Sequence, residues 1–179
     1  MKLFTSTEFN SFQDLFVNQL EDLYDAEQRL TQALPKMAEA ANSNQLKQAF
    51  QHHLTETQGH VSRLQTIFRQ IGIDPKRESC EAMKGLISEG EEMVDAKGDP
   101  SIKDAALIAA AQRVEHYEIS GYGTARSFAL RLGRKEAADL LQQTLDEEKA
   151  ADQKLNQIAE SSVNLQASVK TTATAGSRS

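Results

Sequence analysis

Residues 104–123 read DAALIAAAQRVEHYEISGYG, and the reading of the fold turns on them. Asp104–Ala111 is a smooth, apolar start to a helix, free of proline and glycine. The next residues then set Glu115, His116, Tyr117 and Glu118 within one turn. With side chains placed by the helical period, Glu118 falls among Leu107, Val114, Ala125 and Phe128, inside the apolar stripe. Glu115 lies one turn earlier, at the edge of that stripe. A surface helix turns its acids outward. This one needs other elements whose side chains can face them.

The rest of the chain supplies candidates for those elements. Its 179 residues suit one domain with a sizeable core. Apolar residues at 39% and charged residues at 26% are ordinary for a globular protein. A net charge of −6 argues against a general attraction to nucleic acid or anionic membrane. No apolar run approaches the roughly 18 residues that span a bilayer. The opening MKLFTSTEFNSF lacks the apolar core of a signal peptide. Cys80 has no second cysteine to pair with. These features lead us to expect a cytoplasmic protein. CxxC, GxGxxG and P-loop patterns are absent, which removes zinc-ribbon and nucleotide-binding readings.

Three prolines and nine glycines punctuate an otherwise helical periodicity. Thr5 with Glu8 can form a capping box for the first helix. Its stripe is Phe16, Leu20, Leu23, Leu30, Leu34 and Met37, and Pro35 should bend it or disturb its hydrogen bonds. Asn42–Asn44 is a turn. The second helix carries Leu46, Phe50, Val61, Leu64, Phe68 and Ile71, and stops at Gly72 before Pro75. A short helix within residues 73–100 sits in a long link. Ser101 with Asp104 caps the third long helix, which runs to Gly133; the fourth covers about Lys135–Ser161. The polar residues 162–179 read as a flexible tail beyond a domain of residues 1–161. Two short turns and one long link are the pattern of an all-α, antiparallel four-helix bundle with one crossover connection. A shift of 91 residues lays Glu118 on Glu27, Glu147 on Glu56 and Leu155 on Leu64, which suggests that the two helical pairs are related.

Each of the other long helices also carries a misplaced polar group. Glu27 lies on the side of Leu20, Leu23, Leu30 and Leu34. His53 shares a stripe with Leu46, Phe50, Leu64 and Ile71, and Glu148 shares one with Leu141, Leu155 and Ile158. Glu56 and Glu147 sit at stripe margins, where a long side chain still reaches inward. A single such Glu is ordinarily a solvated surface residue, and a lone His a satisfied core one. Four helices that each place one near the bundle axis are a different matter. Buried carboxylates need partners, and Arg113 and Lys149 point elsewhere. A pair of divalent metals would neutralise the cluster, and carboxylate-rich donors suit iron or manganese better than zinc. His52 and His116 face outward, His60 is within reach of the face but is given no role, and Tyr24, Tyr117 and Tyr122 read as packing.

The words EDLYDAEQRL, DAALIAAAQRVEHYEISGYGT and LDEEKAADQKL resemble the YciF-like family of bacterial stress proteins, in the ferritin-like superfamily. The resemblance covers roughly residues 8–160. It implies a ferritin-like four-helix bundle, a dinuclear centre like that of rubrerythrin, and a homodimer. Glu115 and Glu118 form a Glu-x-x-Glu pair resembling the rubrerythrin arrangement. One departure is plain. Such sites commonly use Glu-x-x-His on two helices, yet Glu56 is followed at that spacing by Gly59 and Glu147 by Ala150. His53, one turn before Glu56, could serve instead. On the fourth helix the repeat offset favours Glu147 and the helical face favours Glu148; Glu148 is taken. The expected ligand set is therefore Glu27, His53, Glu56, Glu115, Glu118 and Glu148, holding two iron ions per chain, or manganese. The expected chemistry is oxidation of ferrous iron or reduction of peroxide or oxygen in a stress response. A structural or adaptor dimer and small-scale iron sequestration are the alternatives.

Overall fold

The computed structural model describes residues 8–75 and 79–175, the side chains of 170–175 excepted. The elements are α1 (Phe12–Ala40), α2 (Asn44–Ile71), α3 (Glu81–Asp95), α4 (Pro100–Arg131) and α5 (Lys135–Ile158). A π-helical turn (Ala159–Val163) and α6 (Asn164–Ala175) follow. There is no strand among the described residues. Around the bundle axis α1 neighbours α2 and α4, and α5 neighbours α2 and α4. The crossover helix α3 packs on α1 and α4.

Local chemistry sets the ends. Ser11 caps α1 by accepting from the Asp14 N–H at 3.1 Å, so the helix starts at Phe12 rather than at the expected Thr5–Glu8 box. Thr5 lies outside the described residues, and Glu8 is not helical. α1 continues through Pro35 without ending. Asp99, not Ser101 with Asp104, caps α4: it accepts from the Ser101 N–H at 2.8 Å, with Pro100 in the first turn. Proline tolerates that position because its missing N–H would have no helical partner there. The buried Asp104 carboxylate instead takes the N–H groups of Asn42 and Ser43, at 2.8 and 2.7 Å. It thereby ties the α1–α2 turn to α4. Gly72 and Gly133, at φ 72° and 70°, stop α2 and α4 in the left-handed conformation that glycine adopts freely.

Through Ala175, the described part of the polar tail expected from residue 162 is helical instead. Val163 is buried and the segment packs on α4, so the apolar side chains of the π turn carry the helix past the predicted end. α4 thus lies against α1, α3, α5 and the C-terminal segment. That explains why its apolar residues do not keep to one narrow stripe.

The core has two apolar parts. One holds Phe16, Leu20, Leu23, Leu64, Phe68 and Leu141. The other holds Leu30, Leu34, Leu46, Phe50, Met83 and Leu107. Between them along α1 sits the fully buried Glu27. α1 and α4 approach closely at Gly121, where a Cβ would meet Leu23 Cδ2 at 2.8 Å; nothing lies within 4 Å of the corresponding point at Gly123. Leu23 is fully buried and has little room to give. We predict that Gly121→Val lowers stability by about 1–3 kcal/mol through overpacking. Gly123→Ala should raise it, by up to about 1 kcal/mol, through helix propensity. Chemical denaturation of the two variants beside the parent checks the opposite signs.

Candidate metal centre

The four long helices bring Glu27 (α1), His53 and His60 (α2), Glu115 and Glu118 (α4) and Glu148 (α5) into one buried layer; each is at most 5% exposed. Two groups can each hold an ion. His53, Glu115, Glu118 and Glu148 offer ligand atoms within 4.8 Å of one another, and so do Glu27, His60 and Glu148. Glu148 belongs to both groups, which places it between two neighbouring positions.

Distances support convergence on common points. His60 Nδ1 lies 3.2 Å from a Glu27 oxygen and 2.9 Å from one of Glu148. His53 Nε2 lies 3.4 Å from Glu115 and 3.6 Å from Glu148. These close approaches are not aligned as hydrogen bonds. His53 Nε2, His60 Nδ1, both oxygens of Glu118 and of Glu148, and one each of Glu27 and Glu115 are buried without a hydrogen-bond partner. Among the described residues only Thr57 and Arg134 add to that set. Orphaned buried polar atoms are rare and costly, and here most of them gather in one layer. Four carboxylates and two imidazoles fit two divalent ions in donor type and in charge. We conclude that the residues present suit a dinuclear metal group.

The outward side of each imidazole is held by a carboxylate. His60 Nε2 meets Glu147 at 2.8 Å, and Arg63 grips Glu147 with two nitrogens at 2.6 and 2.7 Å. Glu147 thus fixes the ring so that Nδ1 faces the centre, as carboxylates commonly do behind metal-binding histidines. Glu56 approaches His53 Nδ1 at 3.4 Å and the exposed His52 at 3.2 Å. Glu56 is therefore at the rim behind His53, not in the converging set, because its carboxylate is engaged by His53 Nδ1 and His52. Glu147, partly exposed and bound to Arg63, and Glu148, fully buried, divide the two roles that the sequence left between them. Tyr122 donates its hydroxyl to Glu27 and so orients that carboxylate.

The sequence reading missed His60. A signal was present: His53 and His60 stand two helical turns apart, and both lie on the inward face of α2. That spacing lets one helix supply both imidazoles, in place of one on each of two helices. Tyr122, read as packing, also contributes a polar contact.

Burial pushes the carboxyls of Glu115, Glu118 and Glu148 up. Neighbouring acids add to this for Glu118, while His53 and His60 oppose it for Glu115 and Glu148 respectively. Burial opposes charge on His60, but Glu148 and Glu27 outweigh it and raise the imidazole to about 11. His53 is also raised, burial being overcome by Glu115 and Glu56. For Glu147, burial is outweighed by Arg63 and His60, which lower it. For Glu56, burial is outweighed by His53 and His52.

The fold and this layer define a class: a ferritin-like helical bundle with a carboxylate- and histidine-lined centre. The chain belongs to the family described as “Domain of unknown function (DUF892)”, which matches residues 11–168. It is 46% identical over 161 residues to protein YciF of Escherichia coli (strain K12), covering 89% of this chain and 97% of that one. The crystal structure of that stress protein matches with a TM-score of 0.84 at 45% identity, over 87% of this chain and 99% of the other. YcfI from Rhodopseudomonas palustris matches with a TM-score of 0.81 at 43% identity, over 86% and 98%. Ferritin-like, diiron-carboxylate proteins from Bacillus anthracis share the fold, at a TM-score of 0.65 and 16% identity, over 84% and 99%. No helix among the described residues is long and apolar enough to cross a membrane.

The pKa directions set the pH behaviour of metal-free protein. Glu115, Glu118 and Glu148 hold protons in the folded state above the ordinary carboxyl value of 4.5, so the stability they contribute falls as pH rises through their raised values. The contribution of His60 is complete below 6.5 and is lost as pH rises through about 11. Glu56 and Glu147 act oppositely: their contribution is present above 4.5 and is lost as pH falls through their lowered values. We expect metal-free protein to lose stability steadily on the alkaline side, and Glu115→Gln with Glu118→Gln to flatten that loss. Thermal melts in chelator across a pH series test it. Parallel profiles for parent and double variant would show that these acids are not desolvated.

Proposed function

We propose that the chain binds two iron ions, manganese being the alternative by donor type, and serves as a two-metal oxidoreductase in a stress response. The observation that carries this is the layer of buried carboxylate and imidazole atoms without hydrogen-bond partners. Two ferrous ions bound there would supply two electrons for reducing peroxide or oxygen. The chain's own residues do the rest. Glu148, a member of both groups, would help to hold both metals. Glu147 and Arg63 hold His60 with one nitrogen inward. Glu56 backs His53 in the same way. Tyr122 steadies Glu27, and apolar clusters pack on either side of the layer along the bundle. We further propose that the protein acts as a homodimer without a storage cavity.

Anaerobic titration of metal-free protein with ferrous iron should saturate near two ions per chain, since one divalent ion cannot neutralise four carboxylates. Glu27→Ala or Glu118→Ala should lower that stoichiometry with the helical circular-dichroism signal retained. Wild-type stoichiometry in both variants would defeat the reading.

Storage makes a separate prediction. Loaded aerobically with excess iron and then desalted by size exclusion, the protein should keep only a few irons per chain. It should elute as a dimer. A mineral-sized iron load on a large assembly would favour sequestration instead.

A further inference from the structure

Two seams lead from the surface to the centre, and they are built differently. Between α1 and α4 the crossover helix α3 lies across the bundle. There the Tyr117 hydroxyl donates to Asp22 at 2.5 Å and lies 3.1 Å from Cys80 Sγ, and Gly121 packs directly on Leu23. These contacts stand between the centre and a surface hollow on that side lined by Asp22, Tyr117 and Gly121. Between α2 and α5 one stretch is fastened by Arg63, which reaches Thr144 at 3.1 Å as well as Glu147. Further along, α5 presents Ala150 and Ala151, whose side chains are too short to reach α2. The seam opens there into a cavity of about 350 Å³.

The lining of the cavity is divided by chemistry. His53 and Glu115 form its inner end; they are 5% and 3% exposed, and each has a ligand atom without a hydrogen-bond partner. Ala49, Phe50, Ala151 and Leu155 make apolar walls, and His52 and Glu56 lie towards solvent. A water molecule takes about 30 Å³ of liquid, so hydrogen peroxide or dioxygen would be poorly held in this space. Ligand pockets begin near about 300 Å³. Apolar walls gain free energy by covering hydrocarbon, roughly 25 cal/mol per Å² buried.

We propose that this cavity is the binding site for an organic hydroperoxide, and that its walls select such a substrate over hydrogen peroxide. The hydrocarbon body lies against Phe50, Ala151 and Leu155, and the peroxide end faces His53 and Glu115. This assignment rests on the two-metal reading above. Two ferrous ions, held by the residues of the centre, would supply the two electrons. The O–O bond breaks as two hydronium-borne protons are taken up from solution, and the hydroperoxide leaves as the alcohol and water, with two ferric ions as the oxidised product.

Cumyl alcohol, the redox-inert product of cumene hydroperoxide, tests the cavity in metal-free protein. Titration followed by calorimetry or ligand NMR should show saturable binding to the parent. Ala151→Phe, or Ala49→Leu on the opposite wall, should weaken it by about tenfold or more, as expected for lost apolar complementarity. Melting curves establish that at least one variant is folded. In iron-loaded protein, kcat/KM for cumene hydroperoxide should exceed that for hydrogen peroxide by about tenfold or more, and the ratio should collapse in the same variants. Absence of saturable alcohol binding to the parent, or a ratio at or below one, overturns the substrate assignment and leaves the metal reading standing. Alcohol binding by a parent that takes up no iron overturns the metal reading, and the hydroperoxide assignment with it.

Discussion

Four carboxylates held in a helical core are the constraint on which the rest of the molecule depends. Water is gone from around Glu27, Glu115, Glu118 and Glu148, so each must be matched by a proton, an imidazole or a cation. The fold answers in layers. His53 and His60 enter the cluster, Glu56 and Glu147 hold those rings from outside, and Arg63 balances Glu147. On either side of the polar layer an apolar cluster packs tightly. The layer is costly by itself, and the flanking clusters supply the stability that offsets it.

The approximate relation between the two helical pairs makes the departures from it informative. Glu27 and Glu118 are equivalent by the 91-residue shift, and both are fully buried. Glu56 and Glu147 are equivalent, and both stand at the rim behind a histidine. The relation breaks at the next ligands: Glu148 corresponds to Thr57, and His53 to Thr144. All four of these side chains are buried. Each pair therefore carries the same frame but a different donor set, and together they make one unsymmetrical centre. The seams differ in the same way. One is covered by α3 and by tyrosine contacts, and the other is left open by two alanines.

Much of this was legible in one dimension because helical periodicity is a local property. A side chain's face follows from its position along the helix. The inward placement of Glu27, Glu118, His53 and Glu148 could therefore be read before any helix was packed. The short turns near Asn42 and Gly133 likewise imply antiparallel neighbours. Local signals failed where more than one local solution existed. Ser11 and Asp99 outcompeted the expected caps. Asp104 was drawn away to the α1–α2 turn, a partner distant in sequence.

By itself the sequence determined the four long helices, the crossover and the inward placement of Glu27, Glu118 and Glu148, since each depends on spacing within one segment. Only the tertiary structure decided what those acids meet. It placed His60 between Glu27 and Glu148, moved Glu56 to the rim, gave Glu147 to Arg63, and opened the α2–α5 seam at Ala150 and Ala151. These outcomes depend on the rotation and height of one helix against another. Such quantities are set by packing across the whole core, and no single helix carries them.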